Sequence, residues 1–323
     1  MIGTLVLLTF AGLATATHTD TMFSVSAGTR LELNDFAGSI AIQTWTKNAV
    51  RVGADHASRA RVEIDRTGPT LDIRVEHWRG VPSTVDYQLT VPKWMALDLA
   101  GVNTDISVEN TEGEVKAETV QGDVSITGGS RLITASSVDG DVRILRARGK
   151  IEASSVNGDV RIEAALGPVV VSSVNGEIVL VRIDSDDVEA STVSGEVSYE
   201  GRIQDGGSYR FSTHSGAVSV GVPAGANATV SVATYSGEFS SAFPVRLNQT
   251  RRGKQFSFTI GNGSAQLELE SFQGEIRLHR PGDSEGKNGD EYRDDDTKSK
   301  HGKSKQKHTR DGDKDEKDEK DEP

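Results

Sequence analysis

The chain has 323 residues, of which 35% are hydrophobic and 5% aromatic, and it carries a formal net charge of −12 with no cysteine. The lack of cysteine excludes disulfides, thiolate metal sites and cysteine nucleophiles. The acidic balance argues against a nucleic-acid partner, which requires clustered Lys and Arg. Residues 281–323 hold 15 acidic and 11 basic side chains but only one hydrophobic residue, Tyr292. Composition therefore separates a globular body from a charged tail.

The chain begins with an uncharged apolar segment, residues 1–16, that ends in Ala14-Thr15-Ala16. This pattern is typical of a cleaved signal peptide, and the segment is too short to span a bilayer comfortably. It has no basic residue near its start, so a buried first strand or helix is the alternative. We predict an exported protein, whether periplasmic, cell-surface or secreted, with no transmembrane segment in the mature chain.

Residues 17–98 contain short apolar segments that alternate with polar residues, such as those around Leu31 and the segment from Val85 to Pro92. A period of two predicts β-strands. All three tryptophans lie in this region, and their size suits a wider core than that of the segment that follows. We therefore predict an irregular β cap on the N-terminal side. The tryptophans are Trp45, Trp78 and Trp94.

A repeated motif, Ser/Thr-Val-x-Gly-Asp/Glu-Val-x-Ile, occupies residues 99–280, first in near-identical and then in weaker copies. Its glycines are separated by 18, 18, 18, 19, 21, 21 and 37 residues, and the last spacing is about two periods. These glycines are Gly122, Gly140, Gly158, Gly176, Gly195, Gly216, Gly237 and Gly274. A fixed period with near-identical copies indicates stacked repeats rather than unrelated strands.

Each repeat has the alternation of a strand. Val160 and Ile162 share one face, while Asp159 and Arg161 share the other,. We attribute the motif glycines, such as Gly158 and Gly140, to turns that need a positive φ. The prediction is an all-β fold, a β-solenoid of stacked coils of about 18 residues, with two short strands in each coil and inward Ser or Thr beside Val, Ile and Ala. A β-sandwich is the structural alternative.

The segment Val85–Pro92, followed by serial Ser-Val-x-Gly-Asp-Val-x-Ile units, resembles the bacterial putative-adhesin β-strand-repeat family, a domain of unknown function. The resemblance covers roughly residues 30–280. It implies an exported or envelope-facing domain that resembles a β-solenoid, and it supplies no catalytic residues.

An acidic residue follows the glycine of each strong motif copy, and stacking would place these carboxylates about 4.8 Å apart. Like charges at that distance repel unless arginines such as Arg143 and Arg161 offset them or a cation such as Ca²⁺ bridges them. The alternative, which we favour, is turn chemistry on a solvated edge with no metal, because calcium-binding coils need several acidic residues per turn and here there is usually one. The candidate calcium ligands are Asp123, Asp141, Asp159, Glu177 and Glu196. We expect no other cofactor.

Two irregularities interrupt the repeats. Asp184, Asp186 and Asp187 lie in a coil that is one residue longer, where we predict a bulge that absorbs the insertion rather than a catalytic site. His214 replaces the motif valine and indicates the end of the regular core. No metalloprotease, nucleophile-elbow or phosphate-loop motif is present.

The charged tail, residues 281–323, has too few apolar residues to offset its ordering entropy, so we predict disorder. Its lysine-rich segment, Lys298–Lys307, is either a solubilising extension or a site for acidic polymers. One window resembles an EF-hand loop, but Glu316 stands where that loop needs glycine. The acidic residues of this window are Asp311, Asp313, Asp315, Glu319 and Glu322.

These features together predict a non-enzymatic, exported β-solenoid that serves as an adhesin or a cell-envelope scaffold. Its expected partner is an envelope polysaccharide or a surface protein. A carbohydrate-active enzyme, either a lyase or a hydrolase, is the alternative from a different class. A sensory envelope domain is the third possibility.

Overall fold

The structure is a computed structural model that describes residues 16–58, 60–77, 83–244 and 254–282. These residues form strands and turns, and no helix among them is long and apolar enough to cross a membrane. They all belong to the first of two structural units, residues 1–284. The predicted signal peptide apart from Ala16 lies outside the described residues, as do Trp78 and the predicted tail from residue 283 onward.

Seven strands precede the regular repeats: β1 (Ala16–Ser24), β2 (Arg30–Trp45), β3 (Ala49–Ala57), β4 (Ala60–Thr67), β5 (Thr70–His77), β6 (Val85–Pro92) and β7 (Ala96–Thr111). β1, β3 and β6 pair antiparallel in that order, and so do β4 and β5. β2 and β7 are 16 residues long, and each passes around a corner to join two parallel ladders. Because β7 runs across residue 98, hydrogen bonding continues through the predicted boundary between cap and repeats.

The repeats supply two strands per coil: β8 (Val115–Gln121), β9 (Val124–Gly128), β10 (Ile133–Asp139), β11 (Val142–Leu145), β12 (Ile151–Ser155), β13 (Val160–Glu163), β14 (Val169–Ser172), β15 (Ile178–Ile183), β16 (Asp187–Thr192), β17 (Val197–Gly201), β18 (Ser208–Thr213) and β19 (Val218–Gly221). Even-numbered strands form one parallel ladder, and odd-numbered strands form the other. The register places Ile133 opposite Ile151 and Val142 opposite Val160. The predicted β-solenoid is therefore confirmed, because equivalent motif positions stack directly on one another.

The last strands do not follow chain order. They are β20 (Ala228–Thr234), β21 (Phe239–Ser241), β22 (Lys254–Ile260), β23 (Ala265–Ser271) and β24 (Ile276–His279). β23 pairs with both β18 and β20, while β24 pairs with both β19 and β21. The C-terminal coil is thus inserted between two coils that precede it in sequence. β22 pairs antiparallel with β20 at the outer side of that ladder.

The core is a set of inward columns that run along the solenoid. On one ladder the column reads Val115, Ile133, Ile151, Val169, Val188 and Tyr209. The coils lengthen after residue 182, and large rings then replace small aliphatic side chains. Tyr199 and Phe211 lie with ring centroids 4.9 Å apart. The Tyr209 hydroxyl donates to the Ser185 carbonyl at 2.6 Å, so the wider coil is filled without leaving that hydroxyl unpaired,.

The motif glycines stack closely against one another, and this contact corrects our interpretation of Gly140 and Gly158 as positive-φ turn residues, although Gly122 does have a positive φ of 138°. Gly140 and Gly158 lie outside the left-handed region, whereas the half-period glycines Gly149 and Gly167 have φ values of 98° and 110°. A Cβ added at Gly158 would overlap the Gly140 carbonyl oxygen. The motif therefore needs glycine because adjacent coils approach too closely to admit a side chain.

The inward Ser or Thr of the motif stabilises this close approach. The Ser155 hydroxyl donates to the Gly140 carbonyl of the preceding coil at 2.9 Å and accepts the Gly158 N–H of its own coil at 2.9 Å. The same pair of bonds recurs at Ser173, Thr192, Thr213 and Ser271. A buried carbonyl and a buried N–H are thus satisfied by one hydroxyl in each of these coils.

The longer coil near Asp184 contains the predicted bulge. Asp184 pairs with Leu166, 18 residues earlier, whereas Val188 pairs with Val169, 19 residues earlier, so the extra residue lies between Asp184 and Val188. Asp184 accepts hydrogen bonds from Arg202 at 3.2 Å and from Gln204 at 2.9 Å. The extra residue is absorbed locally.

Substitution of Gly158 by alanine tests whether stacking or backbone conformation accounts for the motif glycines. We expect Gly158→Ala to lower the free energy of unfolding by about 3 kcal/mol, because the new Cβ forces two coils apart. The control is Gly206→Ala, where φ is 78° and the space around an added Cβ is open. Only left-handed strain of about 1 kcal/mol is expected there. Equal losses for the two variants in urea denaturation would contradict the stacking explanation.

Candidate functional site

An exposed apolar column lies on the edge where each coil turns from one ladder to the other. It contains the residue that follows the inward Ser or Thr, or its equivalents Asp35 and Gly101 in the first two coils, and the strand registers align ten such positions. At about 4.8 Å per strand the column is about 40 Å long. We call it the valine edge. Its members are Phe36, Val102, Val120, Val138, Val156, Val174, Val193, His214, Phe272 and Tyr235.

The valine edge holds most of the exposed large hydrophobic side chains that the structure describes. Of the twelve exposed large hydrophobic side chains in the described ranges, nine belong to it. The six valines have exposed fractions between 38% and 46%, since neighbours in the column cover one another only in part. The three apolar side chains outside the edge are Met22, Leu166 and Val170. An exposed apolar strip of this extent is unusual on a soluble surface.

Three aromatic rings continue the column at its C-terminal end. His214 stacks on Phe272 and Phe272 stacks on Tyr235, each pair with centroids 4.8 Å apart and planes within 8° of parallel. His214 lies between β18 and β19, the last coil that stacks in chain order, and the ladder continues past it through β23. The histidine replaces one apolar member of the column with a stacked ring.

Polar columns run beside the valine edge. The Asn175 amide donates to the Asn157 side-chain oxygen at 2.8 Å, and the Asn157 amide donates to Asp139. Two positions further along each coil are the candidate calcium ligands. The Asp141 carboxylate accepts the backbone N–H of Asp159 at 3.0 Å, and the Asp123 carboxylate accepts that of Asp141 at 2.8 Å.

The acidic residues are thus brought together in one column, as the repeat predicts, with Asp123, Asp141 and Asp159 in consecutive coils followed by Glu177 and Glu196. In Asp123, Asp141 and Asp159 one oxygen is committed to the next coil. Burial raises the pKa of Glu177, and the nearby charges of Glu196 and Asp159 raise it further. Within the described ranges, no group of three or more His, Asp or Glu side chains is placed to hold a metal ion. Calcium binding by this column stays a prediction.

A buried carboxylate stands at the N-terminal end of the Ser/Thr column. Asp35 aligns with Gly101, which in turn aligns with Thr119. Thr104 stands where the later coils have the motif glycine. Its hydroxyl donates to Asp35 Oδ2 at 2.9 Å. Asp35 Oδ1 and the hydroxyl of Tyr87 are buried without a hydrogen-bond partner among the described residues. Burial raises the pKa of Asp35 from 3.8 to about 6, against the lowering effect of the Thr104 hydrogen bond.

The geometry agrees with a match to a known family. The Toastrack DUF4097 family profile matches residues 83–168 and residues 164–279, which together exceed half of the chain. The chain belongs to the Toastrack family. The two matches extend from β6 to the end of β24, so the family region includes the regular coils and the inserted C-terminal coil.

Solved structures that match most of this Toastrack protein share little sequence with it. A putative adhesin from Bacteroides fragilis is 13% identical, with 81% of this chain and 97% of that chain covered, at a TM-score of 0.45. A putative adhesin from Parabacteroides distasonis is 10% identical, with the same coverage and a TM-score of 0.40. A putative lipid binding protein from that species is 11% identical, again with 81% and 97% coverage, at a TM-score of 0.39. No curated protein matches the chain.

The valine edge is a feature that our sequence analysis did not identify, although the motif contains its signal. An inward Ser or Thr places the next residue outward by the period of two. The motif has valine at that outward position. The buried residue is therefore polar and the exposed residue apolar, which is the reverse of an ordinary strand. The alternation of inward and outward residues within the motif was therefore sufficient to predict the valine edge.

Substitution of Asp35 by asparagine tests the buried carboxylate. A folded-state pKa above the unfolded value favours folding at low pH, and this contribution is lost as pH rises through about 6,. We therefore expect Asp35→Asn to exceed the wild type in stability by about 3 kcal/mol at pH 8 and to match it near pH 3.5.

Urea denaturation across this pH range measures the difference between Asp35→Asn and wild type. The control is Asp98→Asn, the same exchange at a carboxylate on the outward face of β7. A stability difference between Asp35→Asn and wild type that is constant with pH would show that Asp35 titrates normally.

Proposed function

We propose that this Toastrack protein is an exported, non-enzymatic adhesin or envelope scaffold and that the valine edge is its contact surface. The observation that carries the proposal is the alignment of nine exposed apolar side chains along one edge. Burial of such a strip against a partner removes apolar area from water, which is the main favourable term in association. The flat outward faces of the ladders offer no comparable strip in the described residues.

The charge beside the edge favours one class of partner. The acidic column from Asp123 to Glu196 follows the valines at a distance of a few residues along each coil. A partner that covers the valines would therefore place its flanking groups near carboxylates, so cationic groups are favoured and anionic groups are repelled. A surface protein segment that combines apolar and basic side chains has this chemistry.

The acidic column is better suited to structure and recognition than to catalysis. Its aspartates accept backbone N–H groups from the next coil, so they hold neighbouring coils together. The predicted signal peptide supports the exported location. Removal of residues 1–16 would leave β1 intact except for Ala16.

A triple substitution tests the valine edge. We expect Val138→Ser, Val156→Ser and Val174→Ser together to weaken binding to an immobilised peptide of alternating lysine and valine by at least about tenfold, because three apolar contacts are lost. Biolayer interferometry with the full chain measures the change. The matched control is the Leu166→Ser and Val170→Ser pair, which removes equally exposed apolar side chains elsewhere.

Two further peptides separate the apolar and the charge contributions. A peptide of alternating glutamate and valine and one of alternating lysine and serine should each bind more weakly than the lysine–valine peptide. Unchanged binding by the triple variant, with an unchanged melting temperature, would overturn the role of the edge. Release of reducing ends from cellulose, chitin or pectin by the purified protein would overturn the non-enzymatic part of the proposal.

A further inference from the structure

A second surface feature lies away from the valine edge, on the outward face of the N-terminal strands. β1, β3, β6 and the second half of β2 enclose an open trough of about 360 Å³. No member of the valine edge lines it. Its volume falls within the range of small-ligand sites, and one or two sugar rings fit in it.

Two of the residues that line the trough have a small side chain or none. Gly53 and Ala41 are the two register partners of Gln88, one on each neighbouring strand. A Cβ added at Gly53 would contact the Gln88 carbonyl oxygen at 3.2 Å and approach the His18 ring at 3.9 Å. A side chain at Gly53 would thus be crowded by the Gln88 backbone and would occupy part of the trough beside His18.

Two nitrogen-bearing side chains on the rim are held in position by carboxylates. Arg51 donates to both oxygens of Asp20, through Nε at 2.9 Å and Nη2 at 2.7 Å. This pairing lowers the pKa of Asp20. His18 Nδ1 lies 2.8 Å from Asp55 Oδ1. The remaining guanidinium N–H groups and His18 Nε2 stay available to a ligand.

Three further polar side chains line the trough: Gln43, Gln88 and Thr90. None of them has a side-chain hydrogen bond to any described residue, and each can both donate and accept. Polar side chains that line one space without hydrogen bonds of their own, beside side chains held in position, are typical of a binding site rather than of a random surface.

We propose that this trough binds an uncharged saccharide. Sugar hydroxyls both donate and accept, which matches the two glutamines and the threonine. Arg51 is paired with Asp20 and His18 with Asp55, so the site has no excess cation for an anionic ligand, and the two carboxylates repel one. The proposal goes beyond the valine edge and does not depend on it.

Titration of the full chain with neutral and charged sugars tests the proposal. The probes are cellobiose, maltose and chitobiose as neutral saccharides and digalacturonate as the anionic one, followed by NMR chemical shifts or calorimetry. We expect at least one neutral disaccharide to bind and digalacturonate to bind more weakly. Failure of all three neutral probes, or stronger binding of digalacturonate, would overturn the assignment.

Point variants locate the site. Gln88→Ala and Gln43→Ala should each weaken binding of the neutral disaccharide about fivefold, because each removes hydrogen bonds to the ligand. The matched control is Gln266→Ala, an exposed glutamine on β23 that should bind as the wild type does. Equal affinity of Gln88→Ala and wild type would place the saccharide elsewhere and refute the trough.

The valine-edge triple variant distinguishes the two proposals. It should retain saccharide binding if the trough is the site, whatever its behaviour towards the lysine–valine peptide. Parallel loss of both activities in a variant with an unchanged melting temperature would contradict the independence of the trough.

Discussion

The contact on which the rest of the solenoid depends is the approach of one motif glycine to the carbonyl of the glycine below it. Gly158 and Gly140 meet so closely that no Cβ fits between them, and the Ser155 hydroxyl bonds to both coils at this point. Close backbone approach permits continuous parallel pairing, and the hydroxyl prevents an unpaired buried carbonyl. The strand register, the narrow aliphatic core and the alignment of the surface columns all follow from this contact.

The period of the motif was sufficient to predict the fold, because repetition in sequence becomes repetition in space when coils stack in register. Ile133 and Ile151 are 18 residues apart and lie side by side in adjacent strands. The reason for the glycines could not be read in the same way. A positive φ and a close backbone approach both require glycine. The sequence shows that glycine is present but not which of the two causes requires it. Backbone angles and the position of the preceding coil are needed to separate the two causes.

The remaining differences lie where the motif weakens. The insertion of β23 and β24 between earlier coils depends on which free ladder edge a late strand joins, and local alternation says nothing about that choice. At the N-terminal end, Gly101 stands where the motif has Ser or Thr, and Thr104 stands where the motif has glycine. The repeat is therefore hidden in the sequence there, although the coil is regular. The trough could not be predicted either, because the strands that form it, β1, β2, β3 and β6, have no repeated sequence pattern.

The valine edge is not required by the contact that builds the solenoid. Stacking constrains the glycine and the inward hydroxyl, whereas the outward residue between them need only tolerate extended backbone. Threonine would satisfy that condition, since it has a similar strand preference and a polar group for water. The chain instead places apolar side chains at nine of the ten positions and a stacked histidine ring at the tenth. The same parity that buries Ser155 exposes Val156, so exposure of the column follows from the fold, but its apolar character does not. That character is the property that burial against a partner would use.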